Sequence, residues 1–237
     1  MNQLNNLSMP EDTIYCLGDH IGGVSLIQSV GNDAMVVSSA RVSFGKKIEK
    51  LQDKDRKLIK FLLEHHHGTP LEHNTITFLV KCPLFVARQW MRHRIASYNE
   101  ISYRYVEATD EFYIPHAFRA QSSSNRQASI EGDFSAEDQK QNIELYTKAI
   151  NQSYAIYQQL LENGVAREQA RGVLPLTTYT QYYFTCNLRA LLHFIELRDH
   201  KDAQWEIQQY AQAMLKLIKP LFPETIAIWE DLKCRTQ

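Results

Sequence analysis

Two segments rich in β-branched and aromatic residues constrain the fold most. They are residues 75–81, TITFLVK, and residues 177–186, TTYTQYYFTC. Such runs are typical of β-strands, whereas much of the remaining chain repeats apolar residues every three or four positions, which is typical of amphipathic helices. We find no internal repeat and no linker long enough to divide the core. The sequence therefore predicts a single α+β domain over residues 1–237.

Weaker local signals predict the other elements. Residues 13–17, 24–29 and 112–114 are short strand candidates, and the polar stretch up to Arg104 is turn-prone. Apolar spacing and capping residues predict the helices. In the first half of the chain these are 33–41 capped by Asp33, 55–66 stopped by Gly68, a helical turn from the capping box Thr69-Pro70-Leu71-Glu72, and 84–93 after Pro83. In the second half they are the longest helix, from Ser135 to Gly164, one from Asn187 to Arg198, and 203–219. Residues 121–135, here called the Ser-rich insertion, lack an apolar period and predict a flexible surface insertion.

Charge and composition exclude several classes of protein. The net charge is −1, from 26 Lys and Arg against 27 Asp and Glu, so no global attraction to nucleic acid or to an anionic membrane is expected. No stretch approaches the roughly 20 apolar residues of a membrane span, and no signal peptide is evident. The four cysteines form no CxxC pair. We expect reduced thiols and a cytoplasmic location.

Glycine is too scarce to build a nucleotide-binding turn. The nine glycines form no GxGxxG, GxxxxGK[ST] or GxSxG motif. Any nucleotide must therefore be held by side chains instead of a glycine-rich loop.

Residues 92–105, RHRIASYNEISYRY, concentrate polar chemistry in one segment. Arg92, Arg94 and Arg104 supply fixed positive charges in planar forks that suit phosphate. Serine and asparagine side chains add neutral hydrogen-bonding groups, and Glu100 adds an acceptor. Together these residue types indicate a pocket for a phosphorylated heterocycle. From composition alone, a solvated basic loop is an equally good interpretation.

The same segment resembles, at every fixed position, the pattern RHRxxSxNExSxRY of the flavin-dependent thymidylate synthases. Blocks elsewhere, from about residue 40 to 210, are similar to that family and follow its order: 40–44, 67–73, 85–90, 170–171 with 174–176, Asn187 with Arg189, 197–198, and 203–207. The Ser-rich insertion and the first dozen residues lie outside the resemblance.

The resemblance implies a fold and a reaction. The family fold is an antiparallel sheet packed with several helices. The implied enzyme is a methyltransferase that converts dUMP to dTMP, taking the methylene from 5,10-methylenetetrahydrofolate and the hydride from reduced FAD, which NADPH regenerates. It uses no cysteine nucleophile. It is implied to be a homotetramer with active sites at subunit interfaces.

The resemblance also implies residue roles. Arg198 is the expected catalytic residue, placed against uracil to favour its ionised form, and Arg104 and Arg171 are the expected phosphate partners. The expected dUMP site comprises Gln89, Trp90, Met91, Arg92, Glu100, Ile101, Ser102, Tyr103, Arg104, Arg171 and Arg198. The expected FAD site comprises Ser43, Thr69, Arg92, His93, Arg94, Ile95, Asn99, Glu100, Asn187, Leu188, Arg189 and His193.

Other interpretations compete with this one. His65, His66 and His67 invite a metal site, but their spacing fits no common ligand motif and no metal is predicted. Cys82 is the alternative nucleophile, although a buried structural cysteine is the better expectation. Arginines interleaved with Trp90, Tyr98, Tyr103 and Tyr105 could form an RNA-stacking surface. An inactive flavin-binding homologue is the last alternative.

Overall fold

The computed structural model describes residues 8–48, 50–123, 129–130, 132 and 134–236. Within these residues the chain forms seven strands: β1 (Ile14–Tyr15), β2 (Gly23–Val30), β3 (Thr75–Pro83), β4 (Ser97–Glu100), β5 (Ala120–Gln121), β6 (Ser129–Ile130) and β7 (Tyr179–Asn187). Five of them make one sheet in the order β1-β2-β3-β7-β4, and every pair is antiparallel. Strands β5 and β6 pair separately.

Helices surround the sheet. Those of the described residues are α1 (Asp33–Arg41), α2 (Asp53–Glu64), α3 (Thr69–Glu72), α4 (Leu84–Trp90), α5 (Ala136–Glu162), α6 (Arg167–Ala170), α7 (Leu188–Arg198), α8 (Trp205–Ile218) and α9 (Pro223–Thr236). Short 3₁₀ turns cover Val42–Phe44 and Arg171–Val173. The α+β class and the antiparallel sheet are thus confirmed. None of the described helices is long and apolar enough to cross a membrane.

The core lies where β3 and β7 pair over their full lengths. Phe78 is directly opposite Phe184 in the register, and both rings are buried. Trp90, at the end of α4, packs its fully buried indole against Phe184 and against Phe194 of α7. This aromatic cluster anchors the C-terminal end of α4, and therefore fixes where residues 92–105 leave the core.

Two predicted caps are confirmed, because both depend on neighbouring residues only. The Ser135 hydroxyl accepts from the Asp138 N–H at 3.1 Å, and Gly164 follows the helix with φ +79°. The Asn187 side chain accepts from the Ala190 N–H at 2.9 Å. Both helices begin where their capping side chains predict.

Two other cap predictions are wrong. Asn32, not Asp33, caps α1 by accepting from the Met35 N–H at 3.0 Å. Asp33 is buried and its carboxylate instead accepts from two N–H groups and a hydroxyl at the start of α9. Thr69 also forms no capping box, since Gly68 occupies the N-cap position of α3 without a side-chain hydrogen bond. The tight turn after α2 uses His66, at φ +56°, before Gly68.

The predicted turn before Arg104 and the predicted strand 112–114 are both corrected. Ser97–Glu100 forms strand β4 along β7, with Glu100 opposite Tyr182. Residue Phe112 makes only one isolated bridge, to Thr178. Strand pairing with β7 overrides the polar composition of β4.

The Ser-rich insertion lies partly outside the described residues. Its described flanks are β5 and β6, which pair antiparallel. Arg119, just before β5, donates to the Ser129 hydroxyl at 2.8 Å and to the buried Glu206 carboxylate at 2.8 Å. The base of this hairpin is therefore attached to the start of α8. The predicted flexibility concerns residues 124–128, 131 and 133 as well, which lie outside the described residues.

Candidate functional site

A large cavity opens beside α7, with a volume of about 1090 Å³. Its walls come from the end of α2, from α3, from the segment after α4, from α7 and from α9. Basic side chains outnumber acidic ones among the lining residues, five to three: Arg92, Arg94, Arg189, Arg198 and Lys233 against Glu64, Glu72 and Glu196. The remaining lining is mainly apolar and aromatic. This combination suits an anionic ligand with a flat, apolar portion.

Arg198 lies at the C-terminal end of α7 and is held by neutral partners. Its Nε donates to His93 Nε2 at 2.9 Å, and its Nη2 donates to the Gln89 main-chain carbonyl at 3.1 Å. Burial, and then the charge of Arg92, lower the pKa of Arg198 from its ordinary value. Within the described part of the chain, Arg198 forms no ion pair. Its positive charge is thus fixed in direction but not neutralised.

His93 serves as the acceptor in that arrangement. Burial, and then the charge of Arg198, lower the pKa of His93 from 6.5 to about 4. The imidazole is therefore neutral at physiological pH, and Nε2 carries the lone pair because it accepts from arginine. Its ring also packs edge-on against Phe194, with centroids 4.8 Å apart. The ring is a rigid support for the Arg198 guanidinium.

A second cavity arginine, at the start of α7, is held by Glu72 and lies close to Gly68. Arg189 Nη1 donates to Glu72 Oε1 at 2.6 Å. A Cβ added at Gly68 would lie 2.3 Å from Arg189 Nε. A larger residue at position 68 would therefore have to displace the exposed Arg189 side chain, which rests against Gly68. Asn187 uses its side-chain oxygen to cap α7, which leaves its amide nitrogen to face the cavity.

The cavity gathers part of the predicted site. Those of the predicted residues that line it are Arg92, His93, Arg94, Ile95, Asn187, Arg189, His193 and Arg198. Gln89 does not line the cavity, but its main-chain carbonyl accepts a hydrogen bond from Arg198. Those outside the lining are Ser43, Thr69, Trp90, Met91, Asn99, Glu100, Ile101, Ser102, Tyr103, Arg104, Arg171 and Leu188. The indole of Trp90 and the side chain of Leu188 are fully buried in the core, so neither side chain is accessible to a ligand.

The rest of the predicted dUMP residues form a second polar surface. Glu100 accepts from the Thr180 hydroxyl at 2.5 Å, and the Tyr103 hydroxyl donates to the Tyr179 carbonyl. Arg104 lies 3.7 Å from Glu168, on the helix that leads into Arg171. Arg104 and Arg171 are therefore carried by neighbouring segments, and neither of them lines the cavity of this chain.

The structure shows where the residues behind two of the competing interpretations lie. The stacking aromatics of an RNA surface are mostly turned inward: Trp90 is buried, and Tyr98 donates to the His93 carbonyl at 2.8 Å. No group of residues that could hold a metal occurs in the described ranges. The ring of His65 stacks on Phe61, with centroids 4.2 Å apart, and meets the His67 ring edge to face at 6.3 Å.

The cysteines are also poorly suited to attack. Cys82 is fully buried, and burial raises the pKa of its thiol well above the ordinary value. Burial raises the pKa of Cys186 to about 12. Cys16, Cys82, Cys186 and Cys234 are all free, and none of them lines the cavity. A thiolate nucleophile is therefore not available at this site.

Sequence reasoning missed one wall of the cavity. Trp229, Leu232 and Lys233 of α9 line it, as do Leu62 and Leu63 of α2. Helix α9 lies against α2, where Arg56 pairs with Glu224 at 2.7 Å, and Asp33 of α1 accepts from the first N–H groups of α9. The apolar spacing of α2 was visible in the sequence, whereas nothing local indicates that α9 reaches the site.

The fold and the cavity define an α+β protein with a basic, partly apolar cavity, and comparisons with known proteins identify the family. Residues 25–224 match the family model described as "Thymidylate synthase complementing protein". A flavin-dependent thymidylate synthase from Thermosipho africanus is 49% identical over 204 residues, covering 86% of this chain and 89% of the relative. One from Thermus thermophilus is 45% identical over 210 residues, covering 89% and 76%.

A solved structure agrees with those relatives. The UMP/dUMP methylase PolB from Streptomyces cacaoi, bound with 5-Br dUMP, superposes with a TM-score of 0.80 at 38% identity, covering 88% of this chain and 94% of that one. The chain belongs to the flavin-dependent thymidylate synthase family. The resemblance of residues 92–105 is thereby confirmed.

Proposed function

We propose that the protein catalyses the reductive methylation of dUMP to dTMP. Its methylene donor is 5,10-methylenetetrahydrofolate, and its hydride comes from reduced FAD that NADPH regenerates. The observation that carries the proposal is Arg198, a cavity arginine whose hydrogen-bond partners are a neutral imidazole and a carbonyl. Family membership supports the reaction, and the named activity of the PolB methylase supports a uridine nucleotide as substrate.

Arg198 can activate uracil because its charge is available. Methylation requires C5 of the ring to become nucleophilic, and negative charge then develops on the ring oxygens and N3. A fixed guanidinium beside the ring stabilises that charge without needing to reorganise. A carboxylate partner would cancel the effect, whereas the neutral acceptors on His93 and Gln89 do not. The electrostatic route therefore replaces covalent attack by a cysteine.

The cavity fits FAD by chemistry and size. The Arg189 side chain, seated on Gly68, and Arg94 offer charge for the diphosphate, and apolar residues such as Leu71 offer surface for a flat ring system. When bound, FAD supplies the hydride. In our proposal Arg92, His93, Arg94, Ile95, Asn187, Arg189 and His193 hold it, and Ser43, Thr69, Asn99, Glu100 and Leu188 contact it from outside this wall.

Assembly into a homotetramer is part of the proposal. Arg104 and Arg171 do not line the cavity of their own chain, so in our proposal another subunit brings them to Arg198. Large apolar side chains are exposed near the site, including Ile95 at 75% and Phe44 at 76%. Such exposure suits a subunit interface. Dilution below the dissociation range should then release flavin and abolish activity together in sedimentation and activity assays. A fully active monomer would refute the assembly.

The remaining assignments follow the same proposal. The dUMP site uses Gln89, Arg92, Ser102, Tyr103, Arg104, Arg171 and Arg198, together with Glu100 and the main chains near Trp90, Met91 and Ile101. Free cysteines support a cytoplasmic location.

One experiment tests the reaction directly. The purified protein, loaded with FAD, is incubated with [5-³H]dUMP, 5,10-methylenetetrahydrofolate and NADPH. The released tritium and the dTMP formed are then measured. A parallel reaction contains [5-³H]UMP, because the PolB protein is a UMP/dUMP methylase. Tritium release that requires folate, with bleaching of the flavin by NADPH, supports the proposal. A protein that takes up no FAD, or releases tritium from neither nucleotide, refutes it.

A further inference from the structure

Gln89 connects Arg198 to a residue outside the predicted site. Its main-chain carbonyl accepts from Arg198 Nη2 at 3.1 Å, and its side-chain Nε2 donates to Gln204 Oε1. Both glutamine side chains are half-buried. A single residue on α4 is thus held at its backbone by the arginine and at its amide by Gln204.

Gln204 is itself on a rigid support. It is the N-cap residue of α8, and the adjacent Trp205 ring packs under the Arg119 guanidinium, 5.5 Å from its centroid. The next residue, Glu206, is buried and accepts from Arg119 at 2.8 and 3.0 Å and from Tyr113 at 3.1 Å. The start of α8 therefore cannot shift without breaking a buried charge-assisted network.

We propose that Gln204 is a positioning residue for nucleotide binding, which rests on the function proposed above. A free glutamine amide rotates among several rotamers and can present either its oxygen or its nitrogen to a ligand. The bond to Gln204 fixes Nε2 of Gln89 toward α8. The Gln89 oxygen and its second N–H are then held in one orientation. This donor and acceptor pair complements the carbonyl and N–H edge of uracil. Gln204 acts through Gln89 and does not itself contact the nucleotide.

A double-mutant cycle tests the coupling. Holoenzyme variants Gln89→Leu, Gln204→Leu and the double variant are titrated with dUMP by calorimetry, and turnover is followed by tritium release. Leucine keeps the approximate size and removes the hydrogen bond. We expect Gln204→Leu to weaken dUMP binding about 5- to 10-fold, a typical loss for one hydrogen bond. We expect the double variant to bind no more weakly than Gln89→Leu alone.

Two further variants separate positioning from folding. Gln204→Glu keeps an oxygen that accepts from Gln89, so its affinity should stay within about 3-fold of the parent. Gln209→Leu changes a glutamine on the same helix that has no side-chain hydrogen bond in the described residues, and should leave binding unchanged. Flavin content and melting temperature should be the same in all single variants at positions 204 and 209.

The possible results differ clearly. Losses that multiply in the double variant would overturn the inference, because Gln204 would then act independently of Gln89. Normal dUMP binding by Gln204→Leu would also overturn the inference. The same holds if Gln204→Leu lowers both the melting temperature and the dUMP affinity and Gln204→Glu restores neither. If the parent holoenzyme binds no dUMP, the proposed function itself is wrong. If the parent holoenzyme binds dUMP but the effects of the Gln89 and Gln204 substitutions are independent, only the positioning role of Gln204 is refuted.

Discussion

Replacing Arg198 gives the sharpest test of the electrostatic mechanism. In Arg198→Gln the side chain stays polar, and its amide nitrogen, at about the position of Arg198 Nε, can still donate to His93, but its charge is lost. Removing one preorganised donor for developing negative charge costs about 2.7–4 kcal/mol, which corresponds to roughly 100- to 1,000-fold in kcat. We expect kcat to fall by that factor, while FAD stays bound and dUMP affinity falls by less than about 10-fold. Arg198→Lys keeps the charge but not the planar fork, so its kcat should lie between those of Gln and the parent.

The assay combines single-turnover tritium release with calorimetric titration of dUMP. Arg88→Gln is the matched control, since Arg88 is an exposed arginine on α4 outside the predicted site. Arg104→Ala is the contrasting variant. It should weaken dUMP binding by about 10- to 100-fold, from the loss of a charge-assisted contact of ~1.5–3 kcal/mol, with a smaller effect on the chemical step. The reasoning is refuted if the Arg198 and Arg104 variants lose affinity and turnover in the same proportion.

Four further predictions address the cofactor wall, the helix behind it, the acid limit and the thiols. Gly68→Ala should displace Arg189 and lower the ratio of bound flavin to protein several-fold, whereas Gly172→Ala, where a Cβ meets nothing within 4 Å, should not; equal flavin content would contradict the cradle. Asp33→Ala should lower the free energy of unfolding by about 2–4 kcal/mol in urea titrations, because it removes a buried carboxylate that caps α9, whereas exposed Asp53→Ala should cost less than about 0.5 kcal/mol. His93 binds a proton less readily in the folded chain, with a pKa of about 4 against 6.5, so stability should be complete above pH 6.5 and fall as pH drops from 6.5 toward 4; a His93→Gln variant should lack that part of the slope, and an unchanged slope would exclude His93 as its source. A variant with all four cysteines replaced by Ala or Ser should keep most dTMP formation, and an indispensable Cys82 in a folded, flavin-bound protein would disprove the mechanism.

The local signals predicted what local interactions decide. Ser135 and Asn187 cap helices through N–H groups three residues ahead, so the sequence alone was sufficient. Asp33 failed as a predicted cap because its partners are at Glu224 and Thr225, at the far end of the chain. Helix α9, and with it the Trp229 wall of the cavity, depends on that distant contact. Spacing within α1 carries no information about it.

The family pattern identifies which residues to consider, but it does not show which of their side chains line the same cavity. It names charged and polar residues without indicating which of them face the same way. Trp90 shows the limit: it lies within the predicted dUMP segment, yet its indole completes the aromatic core between β7 and α7. A tryptophan beside a glutamine and an arginine gives no local signal of its direction. Only the packing of Phe184 and Phe194 decides it.

The two ends of residues 92–105 lie in different places because the middle of this segment forms strand β4. Ser97–Glu100 pairs with β7 and is extended, so these four residues span roughly 13 Å at about 3.3 Å each. Arg92 and His93, before the strand, reach the cavity, and Tyr103 and Arg104, after it, lie beside α6. A turn in place of β4, as the polar composition suggested, would have folded both ends onto one pocket. With the strand present, a single continuous motif supplies Arg92 to the cavity and places Arg104 outside its lining. In the proposed assembly, this separation explains why one chain alone cannot join Arg104 to Arg198.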